Sequence, residues 1–310
     1  MLENILHIVY NKVRKMKGAA IMRITEYAYA KINLYLDVLS KRDDGFHDIR
    51  SVMHSVDLCD LIELSAEPSD KTEIALRITS DADIPSGEDN IVFKAVRQYL
   101  LSVGITARVN INLKKSIPVE AGLGGGSSDA AAALRAMNRI FGKLFDDELF
   151  DLALTLGSDV PYCLVGGTKL CRGRGVPTSA LSVPPMHVLI ALGTERITAK
   201  EGYLALDRKY SDFDGTVSKP ELSESEIISA FTPAGIDEGA LYNVFESLDI
   251  PKLSDVKRIK RSMSEQGAKG SLMSGSGPAV FGIFSTKTEA EIALQHLEAL
   301  GIKTYLTQSI

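Results

Sequence analysis

One stretch of the sequence has the residue types of an anion site. Pro118-Val119-Glu120-Ala121-Gly122-Leu123-Gly124-Gly125-Gly126-Ser127-Ser128-Asp129-Ala130-Ala131-Ala132-Ala133 sets four glycines ahead of an alanine-rich run. Glycine reaches positive φ without penalty and lets backbone N–H groups close on a ligand. A loop that opens straight into a helix adds free N–H groups and the positive end of the helix dipole, so the natural guest is a phosphate. Ser127 and Ser128 add hydroxyls that could reach a Mg²⁺ carried on phosphates, and Asp129 reads as a first-turn cap. Two common phosphate loops do not fit. No lysine follows Gly126, and Ser127 stands where G-x-G-x-x-G needs its last glycine. A flexible linker would have no reason to run into an amphipathic helix.

Two other stretches carry isolated chemistry. Ala30-Lys31-Ile32-Asn33-Leu34 places Lys31 and Asn33 on one face of an apolar strand. Gly157-Ser158-Asp159-Val160-Pro161 follows a helix with a turn holding one carboxylate. Neither is specific alone. A strand lysine is ordinarily a solvated edge residue, and an aspartate before Val-Pro is ordinarily a cap.

The elements that must position these residues follow from periodicity. Strands are predicted at Arg23–Tyr27 and Ile32–Val38, a polar turn at Lys41–Gly45, and alternation over 49–64 ending in a strand at Leu61–Leu64. Residues 66–88 read as loop around a short strand near Ile74–Ile78. A helix is expected over Asn90–Val103 and a strand over Ala107–Leu113. Helices follow from Ser127 to about Phe141, where Ala130, Leu134, Met137 and Phe141 share a face, and over Asp147–Leu156. Ser182-Val183-Pro184-Pro185 marks a domain junction, with a strand at Val188–Leu192 beyond it. Lys209–Ser225 reads as a polar loop. The end reads as strand Gly270–Met273, loop Ser274–Pro278, strand Ala279–Phe284, helix Thr288–Leu300 and strand Lys303–Thr307, a split α+β pattern.

Composition bounds the class. The chain has 310 residues, 45% hydrophobic and 24% charged, with net charge −5. That is an ordinary globular balance and enough chain for two domains. A mildly acidic chain is a poor nucleic-acid or anionic-membrane binder. Cys59, Cys163 and Cys171 form no paired motif and suit a reducing, cytoplasmic setting as buried small hydrophobes. No apolar run approaches the roughly 18 residues that span a bilayer. Residues 1–21 read as an extension ahead of Met22. Its apolar patch precedes its basic residues, the reverse of a secretory signal.

With these motifs in hand, the sequence resembles the 4-diphosphocytidyl-2-C-methyl-D-erythritol kinase family of the GHMP kinase superfamily. The resemblance covers Met22 to Phe284. Ala28-Tyr29-Ala30-Lys31-Ile32-Asn33-Leu34 looks like the family's A-P-A-K-I-N-L, and Gly45-Phe46-His47 is similar to its G-Y-H. Pro118–Ser128 looks like its ATP loop, and Gly157-Ser158-Asp159-Val160-Pro161-Tyr162 resembles G-S-D-V-P-F. Gly166-Gly167-Thr168, Gly173-Arg174-Gly175 and the glycine motif Ser274–Pro278 follow in order.

The resemblance implies a two-domain α+β fold. Residues 22–182 would form a ribosomal-protein-S5-like N-terminal domain with the ATP loop, and residues 183–310 a ferredoxin-like C-terminal domain. It implies that ATP, with Mg²⁺, phosphorylates the position-2 hydroxyl of 4-diphosphocytidyl-2-C-methyl-D-erythritol, a step of the non-mevalonate isoprenoid pathway. The implied partners are these small molecules, with neither nucleic acid nor membrane, in a monomer or homodimer. Asp159 matches the base and Lys31 its catalytic partner. Residues 118–128 (Pro118, Val119, Glu120, Ala121, Gly122, Leu123, Gly124, Gly125, Gly126, Ser127 and Ser128) would bind ATP, with Asn90 and Lys115 on the adenosine side. His47 would read the cytosine between Phe46 and Tyr203, and Asn33 would bond the substrate. No metal ligand is assigned.

The sequence departs from the family at Tyr29, where proline is usual, and over Gly193–Tyr203, where Ala199 falls at a usual threonine. Asn243-Val244-Phe245-Glu246 only echoes N-D-L-E. Two other readings stand beside the first. One is a homoserine- or mevalonate-type kinase, which would have no use for Phe46-His47. The other is a non-catalytic nucleotide-binding regulator, which would be expected to have lost Lys31 or Asp159.

Overall fold

The computed structural model describes residues 21–195, 197–210 and 222–310. The expected extension, apart from Ile21, and most of the polar stretch 209–225 lie outside those residues. The elements run β1 (Met22–Lys41), β2 (His47–Pro68), β3 (Glu73–Thr79), α1 (Ile91–Val103), β4 (Ala107–Lys114), α2 (Gly125–Phe141), α3 (Asp146–Leu156), α4 (Val160–Val165), β5 (Thr168–Gly173), β6 (Val176–Leu181), β7 (His187–Leu192), α5 (Ala199–Lys209), α6 (Glu224–Ala230), β8 (Phe231–Thr232), β9 (Gly235–Ile236), β10 (Tyr242–Asn243), α7 (Ser254–Glu265), β11 (Gly270–Met273), β12 (Ala279–Phe284), α8 (Lys287–Ala299) and β13 (Thr304–Gln308). The mixture of helix and mostly antiparallel strand is α+β.

The described chain divides into two compact units built from separated stretches. The first holds the chain through Ala28, Asp60–Ser116 and Gly126–Val160. The second holds Tyr29–Cys59, Ile117–Gly125 and Pro161–Ile310.

In the first unit β4 runs antiparallel to the second half of β2 and parallel to β3. The β4 side chains alternate strictly: Ala107, Val109, Ile111 and Leu113 are buried, and Arg108, Asn110, Asn112 and Lys114 are exposed. That period of two is the signature of a sheet with one wet face. Helix α1 starts where Asn90 Oδ1 accepts the Val92 N–H at 2.8 Å and stops at Gly104, whose φ is +65°. Helix α2 buries Ala130–Ala133, Leu134, Ala136, Met137 and Ile140, which takes up nearly its whole circumference.

In the second unit β1 and β2 meet in a turn over residues 42–46, closed by Arg42 N–H donating to Phe46 O at 2.8 Å. β1 pairs with β10, the first half of β2 with β5, and β5 with β6. A four-stranded antiparallel sheet has the order β11-β12-β7-β13. With α7 before β11 and α8 before β13, this is the ferredoxin-like β-α-β-β-α-β pattern, interrupted by a long excursion after β7. Two hydrophobic clusters fill this unit, one around Met53, Phe245, Ile259 and Phe284, the other around Ile32, Val52, Leu123 and Phe281.

Several elements differ from the sequence-based expectation. Residues 22–40 form one strand, not two, because Ala30 to Leu36 are buried on both faces and leave no alternation to read. Residues 47–68 are likewise continuous. α2 begins at Gly125, two residues before the expected Ser127. The expected loop 209–225 ends in α6, where Ser223 Oγ accepts the Glu226 N–H and Glu226 reaches back to Ser223 N–H. Residues 182–186 hold no helix or strand and connect β6 to β7.

Candidate active site

The glycine-rich loop owes its shape to close backbone contacts. Within the second unit, Lys31 N–H donates to Leu123 O at 2.9 Å, and Ala279 N–H donates to Ala121 O at 3.1 Å. Ala121 and Leu123 are buried and anchor the loop. Gly122 has φ +83°, and a Cβ there would stand 2.1 Å from Ser274 O. Gly124 has φ +71°, and its Cβ would press to 2.9 Å on Lys31 Cγ. Positive φ costs an ordinary residue roughly 1–2 kcal/mol, and the clash at Gly122 comes on top of it. The early helix start puts Gly125–Ser128 in the first turn, whose N–H groups have no carbonyl of their own helix to bond. Ser127 is half-buried and Ser128 buried.

Asp129 differs from its expected role. The longer helix leaves no acidic residue in its first turn. Asp129 is instead buried beside Lys115, whose Nζ lies 2.6 Å from Asp129 Oδ2 and also in a short contact with Asp60. Ser116 N–H donates to Asp60 Oδ1 at 2.5 Å. One ammonium therefore serves two carboxylates. Burial drives the Asp129 carboxyl well above its ordinary range, Lys115 pulls it down, and the nearby Asp60 charge pushes it up again. All of this lies within the first unit. Asn90 is spoken for as well: it caps α1 and donates through Nδ2 to Pro85 O at 2.8 Å.

In the second unit, Lys31 is buried on β1 and its Nζ donates to Asn33 Oδ1 at 2.7 Å. The same Oδ1 accepts Gly275 N–H at 3.0 Å, and Asn33 Nδ2 donates to Ser51 Oγ at 2.9 Å. These bonds decide which way the Asn33 amide points. Asn243 Nδ2 donates to Met273 O and Gly275 O at 2.7 and 2.8 Å, so the echoed Asn243–Glu246 motif braces the glycine motif. Asp159 is half-buried in the first unit, between α3 and α4, in the turn that Val160 N–H closes on Gly157 O at 3.3 Å.

The proposed base-reading residues lie in the second unit. His47, on the first residue of β2, is 8% exposed. Its ring stacks on Tyr203 with centroids 4.5 Å apart and planes 15° from parallel. Tyr203 in turn meets the Phe245 ring edge-on at 5.2 Å. Phe46 is 46% exposed and carries the Arg174 guanidinium 3.7 Å above its ring. The atypical Gly193–Tyr203 segment still starts its helix soundly: Thr198, next to the unusual Ala199, caps α5 in a reciprocal pair with Glu201.

Asp207 was missed by sequence reasoning. Its Oδ1 lies 2.7 Å from His47 Nε2, and its Oδ2 accepts from Lys41 Nζ at 2.6 Å. Tyr203 and Asp207 are four residues apart on α5 and so share a face, the one signal that could have found it. Burial pushes the Asp207 carboxyl up, but Lys41 and His47 outweigh it and hold it below the usual carboxylate range. Among the described residues no three His, Cys, Asp or Glu side chains gather as a metal-holding group.

Comparison with known proteins places this architecture. Residues 90–167 match the GHMP kinases N terminal domain and residues 236–303 the GHMP kinases C terminal domain. A 4-diphosphocytidyl-2-C-methyl-D-erythritol kinase of Caldicellulosiruptor saccharolyticus is 40% identical over 90% of this chain and 94% of its own length. One of Clostridium novyi is 35% identical over 91% and 99%. A crystal structure of 4-(cytidine 5'-diphospho)-2C-methyl-D-erythritol kinase superposes with TM-score 0.76 at 32% identity, covering 93% of this chain and all of that one. Homoserine kinase from Cytophaga hutchinsonii shares the fold alone, with TM-score 0.65 at 19% identity over 90% of this chain and 94% of its own. With the kinase relatives matched along nearly their whole length, the chain belongs to the 4-diphosphocytidyl-2-C-methyl-D-erythritol kinase family of GHMP kinases.

Proposed function

We propose that this chain transfers the γ-phosphoryl group of ATP to the position-2 hydroxyl of 4-diphosphocytidyl-2-C-methyl-D-erythritol, in the cytoplasm and within the non-mevalonate isoprenoid pathway. The observation that carries this reading is the stacked, hydrogen-bonded His47 at the mouth of β2, in a chain whose relatives of that name match it over about nine-tenths of its length. Asp159 would take the hydroxyl proton. The substrate oxygen then bonds to the γ-phosphorus, the bridging oxygen leaves with ADP, and Lys31 offsets charge on the transferred group. The first-turn N–H groups of α2 and the loop from Pro118 would hold the phosphates. Asn90 and Lys115 are assigned to the adenosine side and Asn33 to the substrate.

Mg²⁺ would ride mainly on the phosphate oxygens of ATP, with the Ser127 or Ser128 hydroxyl in support, and would neutralise phosphate charge there. The division into domains at residues 22–182 and 183–310 is part of the same reading, since the two matched stretches fall on either side of it. No helix among the described residues is long and apolar enough to cross a membrane.

An ATP-consumption assay with the cytidyl compound, mevalonate and homoserine tests the reading. Turnover with the cytidyl compound alone is expected. Turnover with another alcohol would discard the base pocket, and nucleotide binding without turnover would favour a regulator.

A further inference from the structure

We propose that Asp207 is a positioning residue that makes this site select cytosine over uracil, by fixing which nitrogen of His47 carries the proton. The inference rests on the cytidyl reading above and deepens it.

The Asp207 carboxylate has both oxygens engaged. Each of its oxygens has one donor: Lys41 Nζ on Oδ2 and His47 Nε2 on Oδ1. An ionised carboxylate only accepts hydrogen bonds. His47 Nε2 must therefore bear a proton to make its 2.7 Å contact. We take the ring as neutral; only one nitrogen is then protonated, and Nδ1 is left as an acceptor. Nδ1 bonds to no described residue and is the ring nitrogen left to meet a ligand. Tyr203 lies flat against the ring and Phe245 backs Tyr203, which holds the plane of the ring.

An acceptor at that point matches the exocyclic amine of cytosine, which donates. It opposes the carbonyl that uracil carries at the same place, which also accepts. The selectivity thus originates one bond away from the base, in a residue that does not touch it.

The substitution Asp207→Asn tests the logic sharply. Lys41 only donates, so the amide oxygen must turn toward it. The amide N–H₂ then faces Nε2 and forces it to accept, which moves the ring proton to Nδ1. The donor pattern shown to the base is inverted without loss of size or stacking. The measurement is titration calorimetry of the full chain with CDP and with UDP. The wild-type chain is expected to prefer CDP by about tenfold or more, the scale of one well-placed hydrogen bond. Asp207→Asn is expected to lose that preference or reverse it, with ATP affinity and melting temperature held as controls. A preserved CDP preference in the variant overturns the role of Asp207 alone. No preference in the wild-type chain overturns the cytidyl reading itself. Should the variant not fold, nitrogen-15 NMR of histidine-labelled wild-type chain decides: a neutral His47 ring protonated on Nε2 alone supports the assignment, and a proton on Nδ1, in a neutral or a charged ring, overturns it.

Discussion

Two polar clusters use nearly the same parts and do opposite things. In the first unit Lys115 sits between Asp60 and Asp129, and all three side chains are at most 6% exposed. In the second unit Lys41 and His47 share Asp207, and exposure falls from 55% at Lys41 through 20% at Asp207 to 6% at His47. The first cluster is sealed. Its single ammonium is divided between two carboxylates, and burial pushes the second of them toward its neutral form. The second cluster is graded from water inward and ends on a ring nitrogen with no protein partner among the described residues. The contrast teaches that stoichiometry and exposure, more than residue type, decide whether a lysine–aspartate pair is a strut or a presenting device. Desolvated charges repay their cost only when paired, and the sealed cluster still leaves Asp129 Oδ1 buried without a hydrogen-bond partner.

The sharpest break lies outside both clusters. Asp159→Asn should lower kcat by about 10²–10⁴-fold, the usual worth of a general base, while ATP affinity stays near wild type in a binding titration. Unchanged kcat would remove Asp159 as the base and leave the presenting cluster without chemistry to serve.

Next in size is the strut itself. Lys115→Met strands two buried carboxylates and should cost about 3–5 kcal/mol in chemical denaturation. A cost under 1 kcal/mol, the range of exposed pairs, would make the Lys115 cluster no more of a strut than the Lys41 one.

A second histidine on the same strand sharpens the comparison. His54 lies seven residues after His47, with Nδ1 2.7 Å from Thr168 Oγ1 and Nε2 buried without a partner. No carboxylate hydrogen-bonds to it, and burial lowers its pKa from 6.5 to about 4. The unfolded chain takes up this proton at higher pH than the folded one. The stabilisation is therefore complete above pH 6.5 and lost as pH falls toward 4, by roughly 3 kcal/mol. Denaturation at pH 7 and pH 5 should show part of that loss, and His54→Gln should flatten it.

The smallest effect is expected at Asp129. Its carboxyl keeps its proton more tightly in the folded state, so its contribution is whole below the ordinary value of 3.8 and fades as pH rises through the folded value. Asp129→Asn should leave stability nearly unchanged at pH 4 and raise it by no more than about 1 kcal/mol at pH 8. A large loss at both values would mean that the charge itself is needed.

Much of the candidate site was legible because its signals are local. Four glycines ahead of an alanine run announce a loop that turns into a helix, and strict alternation announces β4. Lys31, Asn33 and Asp159 each stand in a short, dense motif. Some missed elements had no local period: Ala30–Leu36, buried on both faces, reads as neither face. α7 escaped although Val256, Ile259 and Met263 keep helical spacing, because a charged stretch around them dominates its appearance.

From the sequence alone came the glycine-rich loop, the need for glycine before the helix, the α+β class and the family resemblance. Those depend on backbone freedom and on patterns a few residues long. Only the tertiary structure decided that Gly122 must be bare because Ser274 O lies against it, 152 residues away. It also decided that Lys115 is enclosed by carboxylates, and that His47 answers to Asp207, 160 residues away. The physical reason is the same in each case. Hydrogen bonds and ion pairs act over about 3 Å of space, and distance along the chain carries no information about which groups the fold will bring that close.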